Sequence, residues 1–300
     1  MNETCDGFLE YASLELKLSD NTLSAYACDL ASVSSWMEER GYGSLGRCDT
    51  GQLAEYAAWL SHCGYSALSV RRRLSTLRGY YRFLQGEGCR EDNPAEALHP
   101  PRMPLRLPHA VSVDAVTRLV EAWTGDTVLS VRNRALMELA YGAGLRESEL
   151  TGMTVGRVHL EEALVRPLGK GSRERLVPIG GMAVRWLSSY IDHARPQLLQ
   201  GRTSPVLFLS YRGNPLTRMT VWDIVREAAI AAGIGDSIHP HTLRHSFATH
   251  LLQGGADLRV VQELLGHADI RTTEIYTSLD RTYLRGVIEK CHPRSAGWIP

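Results

Sequence analysis

Two segments near the C-terminal end of this 300-residue chain hold most of the chemistry it can offer: HTLRHSFATHLL from His241 to Leu252, and LLGHADIRTTEIYTSLD from Leu264 to Asp280. They contribute His241, Arg244, His267 and Tyr276, while Arg146 stands far upstream in GAGLRESEL and Lys170 in the turn GKGSRER. Two guanidinium groups, two imidazoles, an amine and a phenol make a set able to bind a phosphodiester. The tyrosine can attack the phosphorus and the departing oxygen can be protonated, without a metal. A tyrosine in a helical segment is usually core, so Tyr276 gains its meaning from the cations that would collect around the same phosphate.

Each member also has a plainer reading. Arg146 follows GAG, a break between two helices, so it projects from a helix start, where anions are favoured and a guanidinium spans two phosphate oxygens. It could equally be a surface arginine paired with Glu147 or Glu149. Glu149, one turn on, is also positioned to orient a catalytic histidine. His241 and Arg244 are three apart at the start of a helix and share a face. Lys170 sits at a glycine-flanked hairpin tip, where an exposed lysine is commonplace. It is, however, one of three lysines against thirty arginines. Lysine can give up a proton near neutral pH and arginine cannot, which suits a titrating role. His241 and His245 have the i, i+4 spacing of a zinc pair, but no Glu follows the first and no third ligand stands nearby. No metal or cofactor is expected, and His245 and His250 read as structural.

These residues need elements to hold them. SDNTLSAYACDLASVSSWMEERG predicts a helix capped by Ser19, with Leu23, Tyr26, Leu30, Val33 and Met37 on one face and a stop at Gly41. A further helix covers residues 50–63. The next, from about Ser66 to Gln85, turns Leu74, Leu77, Tyr81 and Leu84 inward. Beside that face Arg71, Arg78 and Arg82 fall within a stripe about 40° wide at 100° per residue. With Arg72 they form either a solvated face or a grip on DNA phosphates. NPAEALHPPRMPLRLPH, with five prolines between Asn93 and His109, reads as a linker. The expected domains are therefore residues 1–98 and 109–300, joined by 99–108. Beyond the linker, Ser112 caps a helix and VRNRALMELAYGAG forms another. A small antiparallel sheet follows between Val155 and Ile179, with LVRPLG and RERLVPIG as strands around Gly169–Ser172. Helices then dominate to about residue 290.

Composition sets outer bounds. At 44% hydrophobic and 22% charged, the chain reads as globular. No apolar run approaches the roughly 18 residues of a spanning helix, and the first twenty residues lack the basic start of a secretory signal. Cys5, Cys28, Cys48, Cys63, Cys89 and Cys291 are scattered, as expected of free thiols in the cytoplasm. Net charge is zero, which argues weakly against nucleic acid. Its distribution points the other way: residues 62–86 hold five arginines and no acid, and local stripes steer more than totals.

The residues Arg146 in GLRESEL, Lys170 in GKGSRERLVP, His241 and Arg244 in HTLRHSFATHLL, His267 in LLGH and Tyr276 in TTEIYT stand in the order of the catalytic set of the tyrosine recombinases, the phage integrase family. The chain resembles that family over nearly its whole length, most of all its Xer type. LSDNTLSAYACDL in the helical N-terminal part and the terminal HPR at 292–294 belong to the likeness, while Glu147 and the tail SAGWIP depart from it. The resemblance implies a mainly α fold. A SAM-like helical core-binding domain and an α+β catalytic domain would close as a C-shaped clamp on DNA. It implies Tyr276 as nucleophile, Arg146 and Arg244 on the non-bridging oxygens, Lys170 as general acid, and His241 and His267 as positioning groups. Arg71, Arg72, Arg78, Arg82 and Arg173 would meet DNA. It further implies a tetramer on two recombination sites, of one protein or with a sister recombinase, a septal DNA translocase as a partner, and chromosome dimer resolution. A C-terminal helix with Leu279, Tyr283 and Val287 on one stripe would dock into a neighbouring protomer, and removal of residues 278–300 would then spare domain folding. Mobile-element integration and a non-catalytic DNA-binding role are the alternatives.

Overall fold

A computed structural model describes residues 3–100, 111–169, 174–235, 238–266 and 281–295. The chain divides into two compact units, Met1–Leu107 and Pro108–Pro300.

In the first unit four helices surround one apolar core: α1 (Glu3–Leu14), α2 (Asp20–Glu39), α3 (Thr50–His62) and α4 (Ala67–Gly86). Their starts are set by local chemistry. The Asp49 carboxylate accepts from the Gln52 N–H at 2.8 Å while the Gln52 side chain accepts from the Asp49 N–H at 3.1 Å, a reciprocal cap that satisfies two donors the helix cannot. Ser66 caps α4 through the Ser69 N–H at 3.1 Å. Leu30, Val33 and Met37 of α2 meet Leu74, Leu77, Tyr81 and Leu84 of α4 in the core. Leu23 and Tyr26, expected on the same α2 face, are only half-buried.

The second unit opens with α5 (Val113–Glu121), capped by Ser112, and α6 (Val128–Gly142), which is buried from Arg132 to its end. After α7 (Glu147–Thr151) come three antiparallel strands, β1 (Val158–His159), β2 (Leu164–Val165) and β3 (Val177–Pro178). Val158 pairs with Val165, and Val165 with Val177. The strands are shorter than LVRPLG and RERLVPIG suggest, because Pro167 has no N–H to extend the ladder. One further bridge, Leu168 to Glu174, continues the hairpin. Next, α8 (Gly181–Ser189) passes through a π turn at Tyr190–Ala194 into α9 (Arg195–Leu199). The remaining helices are α10 (Arg218–Ala231), α11 (Pro240–Gln253), α12 (Leu258–Leu265) and α13 (Arg281–Cys291). No described helix is long and apolar enough to cross a membrane.

The C-terminal segment packs one face on its own unit and leaves Tyr283, of the stripe expected to dock into a neighbour, outside that core. Leu284 and Ile288 of α13 are buried in the core of their own unit, whereas Tyr283 is 49% exposed. Val287 packs at the margin of that core, and Leu279 lies outside the described residues. The stripe through Tyr283 is therefore not the buried face. Beyond α13, Arg294 donates to the buried Glu138 carboxylate at 2.8 and 2.6 Å and to Glu121 at 3.1 Å. A β-carbon on Gly180 would stand 2.5 Å from the Arg294 carbonyl, so only glycine lets the chain end pack there. Removal of residues 278–300 would take Arg294 from buried Glu138, leaving it to Arg134, and would remove Leu284 and Ile288 from the core. Domain folding would not be spared.

Candidate active site

The site begins with a glycine that no other residue could replace. Gly144 has φ +56°, and a β-carbon there would lie 2.4 Å from the Phe247 ring. This turn ends α6 and delivers Arg146 as the residue that starts α7. The Arg146 N–H donates to Glu149 Oε2 at 2.8 Å, and its Nη1 donates to Oε1 at 3.0 Å. Its side chain stays 37% exposed. Of the two acids weighed as its partner, Glu149 is the one engaged.

Glu149 is 3% exposed and collects more than one arginine. Arg175 holds it in a fork, Nη1 to Oε1 at 2.7 Å and Nη2 to Oε2 at 2.9 Å. Arg244 stands 3.9 Å away. Burial by itself would raise the Glu149 pKa, but the bonds and charge of Arg175 and Arg146 outweigh it and leave the carboxyl below its ordinary value. Among the described residues Glu149 thus orients guanidinium groups; His267, one of the histidines its spacing could serve, lies outside them. A carboxylate matches the fork of an arginine, which neutral imidazole cannot offer.

The C-terminal end of α12 supplies the other wall. Its last carbonyls have no partner within the helix, and three arginines take one each. Arg175 Nε donates to the Leu264 carbonyl at 2.7 Å, Arg244 Nη2 to that of Leu265 at 2.7 Å, and Arg146 Nη2 to that of Gly266 at 3.4 Å. A helix C-terminus carries partial negative charge and favours such cations. Gly266, at φ +65°, closes α12 in the left-handed conformation that glycine adopts at least cost. Arg244, 6% exposed, also donates to the Gly144 carbonyl at 2.7 Å. Desolvation, with Arg146 beside it, pushes its pKa down to about 10, so it remains charged at neutral pH. Three guanidinium groups against one carboxylate leave two positive charges in surplus, and that surplus suits an anion.

His241 lies one turn before Arg244 on α11 and is exposed. Partial burial, then the charges of His239, Arg244, His245 and Arg146, hold its pKa below the ordinary histidine value, which favours the neutral form. His250 is buried, its Nδ1 paired with the Tyr141 hydroxyl at 2.7 Å and its Nε2 with the Val111 carbonyl at 2.8 Å. That is the structural role expected of it. Lys170, Arg173, His267 and Tyr276 lie outside the described residues. The bridge at Leu168 and Glu174 flanks the first two, and His267 follows Gly266 directly. Sequence reasoning missed Arg175, although the alternation of RERLVP around Arg173 was the available signal.

In the first unit the arginines of α4 divide. Arg71 and Arg82 are exposed. Arg72 pairs with buried Asp29 and donates to the Ala25 carbonyl at 3.4 Å. Arg78 departs from the expected stripe. It is half-buried, with Nε on the Ala95 carbonyl at 3.2 Å and Nη2 on that of Leu98. The chain after α4 folds back over it and supplies carbonyls where a phosphate was expected.

Residues 110–282 match the phage integrase family, and residues 5–88 match the phage integrase N-terminal SAM-like domain. This chain belongs to the phage integrase family. Among the family's members it is 45% identical to tyrosine recombinase XerD of Pseudomonas aeruginosa, over 96% of this chain and 97% of that protein. It is 40% identical to tyrosine recombinase XerD of Chlorobaculum tepidum, over 97% of each. The crystal structure of XerA recombinase is similar at a TM-score of 0.50 and 29% identity, across 98% of this chain and 99% of that one. XerH site-specific recombinase, bound to its difH substrate before cleavage, shares the fold at a TM-score of 0.66 and 24% identity, across 88% and 78%.

Proposed function

We propose that this family member is a site-specific DNA recombinase that cuts and rejoins duplex DNA through a 3′-phosphotyrosine, and that it resolves chromosome dimers at cell division in the cytoplasm. The observation that carries the reading is the surplus of two positive charges where Arg146, Arg175 and Arg244 meet Glu149 and the end of α12. Arg146 and Arg244 keep N–H donors beyond those already used, because a guanidinium has five. In the proposed reaction they bind the two non-bridging oxygens and stabilise the charge that grows there, a contribution of several kcal/mol per donor in a dry site.

Tyr276 attacks the phosphorus in line. Its phenol proton passes to neutral His241 or to His267, and the bond from phosphorus to the 5′ oxygen breaks as Lys170 supplies that oxygen with a proton. The phosphotyrosine keeps the energy of the broken linkage, so religation by another 5′ hydroxyl needs no ATP. Residues 1–98 form the core-binding half of the protein, with Arg71 and Arg82 facing phosphates and Arg72 braced by Asp29, and Arg173 is a further DNA contact. The 99–108 segment links the halves. The assembly on two sites is a tetramer, of this chain alone or with a sister recombinase, and a septal translocase activates it. The identity to XerD relatives over nearly all of their length supports chromosome resolution over mobile-element integration.

On nicked duplex DNA that carries the target site, the protein should accumulate a covalent protein–DNA adduct. Tyr276→Phe should bind the site and form none; adducts surviving that change would reject the assignment.

A further inference from the structure

We propose that Arg175 is a positioning residue for cleavage: by saturating Glu149 and tying down the end of α12, it leaves Arg146 available to the phosphate. The inference rests on the recombinase reading above. Its starting point is the unequal sharing of one buried carboxylate. Arg175 makes both fork contacts with Glu149, at 2.7 and 2.9 Å, and a third bond to the Leu264 carbonyl at 2.7 Å. Arg146 makes one side-chain bond to Glu149, at 3.0 Å.

The two differ in exposure as well. The Arg175 side chain is 12% exposed and that of Arg146 37%. Arg175 is thus enclosed and committed, while Arg146 faces outward with donors to spare. A bidentate arginine–carboxylate pair is the strongest arrangement these groups can make. Without it, the Glu149 carboxylate would draw Arg146 into the fork and compete with the incoming phosphate. The packing is also tight: a β-carbon on Gly266 would lie 3.1 Å from the Arg175 side chain. Arg175 therefore also bears on the residue from which the chain enters His267. It acts through Glu149 and α12 and needs no contact with DNA.

The competition predicts an unusual double-variant result. Arg175→Met should slow single-turnover cleavage of a nicked site at least tenfold, with site binding changed by less than about threefold. Glu149→Gln keeps an acceptor for the Arg146 N–H but loses the charge that captures the guanidinium. Combined with Arg175→Met, it should restore part of the lost rate. Arg175→Lys, which keeps charge without the fork, should fall between wild type and Arg175→Met. The Arg175→Met defect should also persist on DNA whose bridging 5′ oxygen is replaced by sulfur, a leaving group that needs no proton.

Losses that multiply in the double variant would overturn the inference, and so would full rescue of Arg175→Met by the sulfur substrate, which would assign its effect to leaving-group protonation. A wild-type protein that forms no adduct would overturn the recombinase reading and this inference together. Adduct formation by wild type with multiplying losses would overturn the inference alone.

Discussion

The arginines of α4 and those around Glu149 look alike in composition and behave differently in place. On α4 the guanidinium groups are spread out: Arg72 and Arg73 meet Asp29, Arg78 meets two carbonyls, and Arg71 and Arg82 are exposed. Around Glu149 three guanidinium groups share one acid and one helix end. A charge spread along a helix face is screened by water and salt and works additively. Charges crowded into a partly dry site reinforce each other on a single anion. The first arrangement suits holding a polymer, the second suits acting on one of its bonds.

That contrast can be broken at several points. Arg146→Ala should lower single-turnover cleavage about 10²–10³-fold, the usual cost of one charge-stabilising donor, with little change in the melting transition. A loss below tenfold would place Arg146 with the α4 arginines. Arg78→Ala should cost about 1.5–3 kcal/mol of stability in urea unfolding of the first unit, since two carbonyls lose a charged donor. The salt dependence of DNA binding should stay as it was. A shallower slope would return Arg78 to the phosphate-binding group.

Acid should bear on the second unit through His292. Burial holds this imidazole neutral, its pKa pushed down to about 3, while in the unfolded chain it takes up a proton near 6.5, its ordinary value. Between those values the unfolded state binds the extra proton. Stability should therefore fall as pH drops from about 6.5 towards 3, by at most ~1.4 kcal/mol per pH unit. Unfolding of His292→Phe should show a flatter profile in that window; an unchanged profile would sink the assignment. The smallest effect belongs to Arg71→Ala, which should weaken site binding a few-fold and make the log–log salt slope shallower by about 0.9.

Much of the fold was legible from residue order. Ser66, Ser112 and the turn before Arg146 mark helix starts because capping is local chemistry, settled within three or four residues. The apolar faces of α2 and α4 follow from a 3.6-residue period. The motif around Arg146 narrowed its partner to Glu147 or Glu149, and the helical turn brings Glu149 to it. Other features had no such local mark. Arg175 sits 89 residues from the carbonyl it holds at Leu264, and Arg294 is 156 residues from Glu138. On α13, packing buried Leu284 and Ile288 and left Tyr283 exposed.

Residue types and short spacings determined the helices, their caps and the chemical kit of Arg146, Lys170, His241, Arg244, His267 and Tyr276. Tertiary structure decided which arginines are occupied by the protein's own oxygens and which keep donors for an anion. The reason is physical: propensity and capping act over a turn or two of chain. Burial and the pairing of a charge depend on which distant carbonyl or carboxylate the fold brings within 3 Å or so of it.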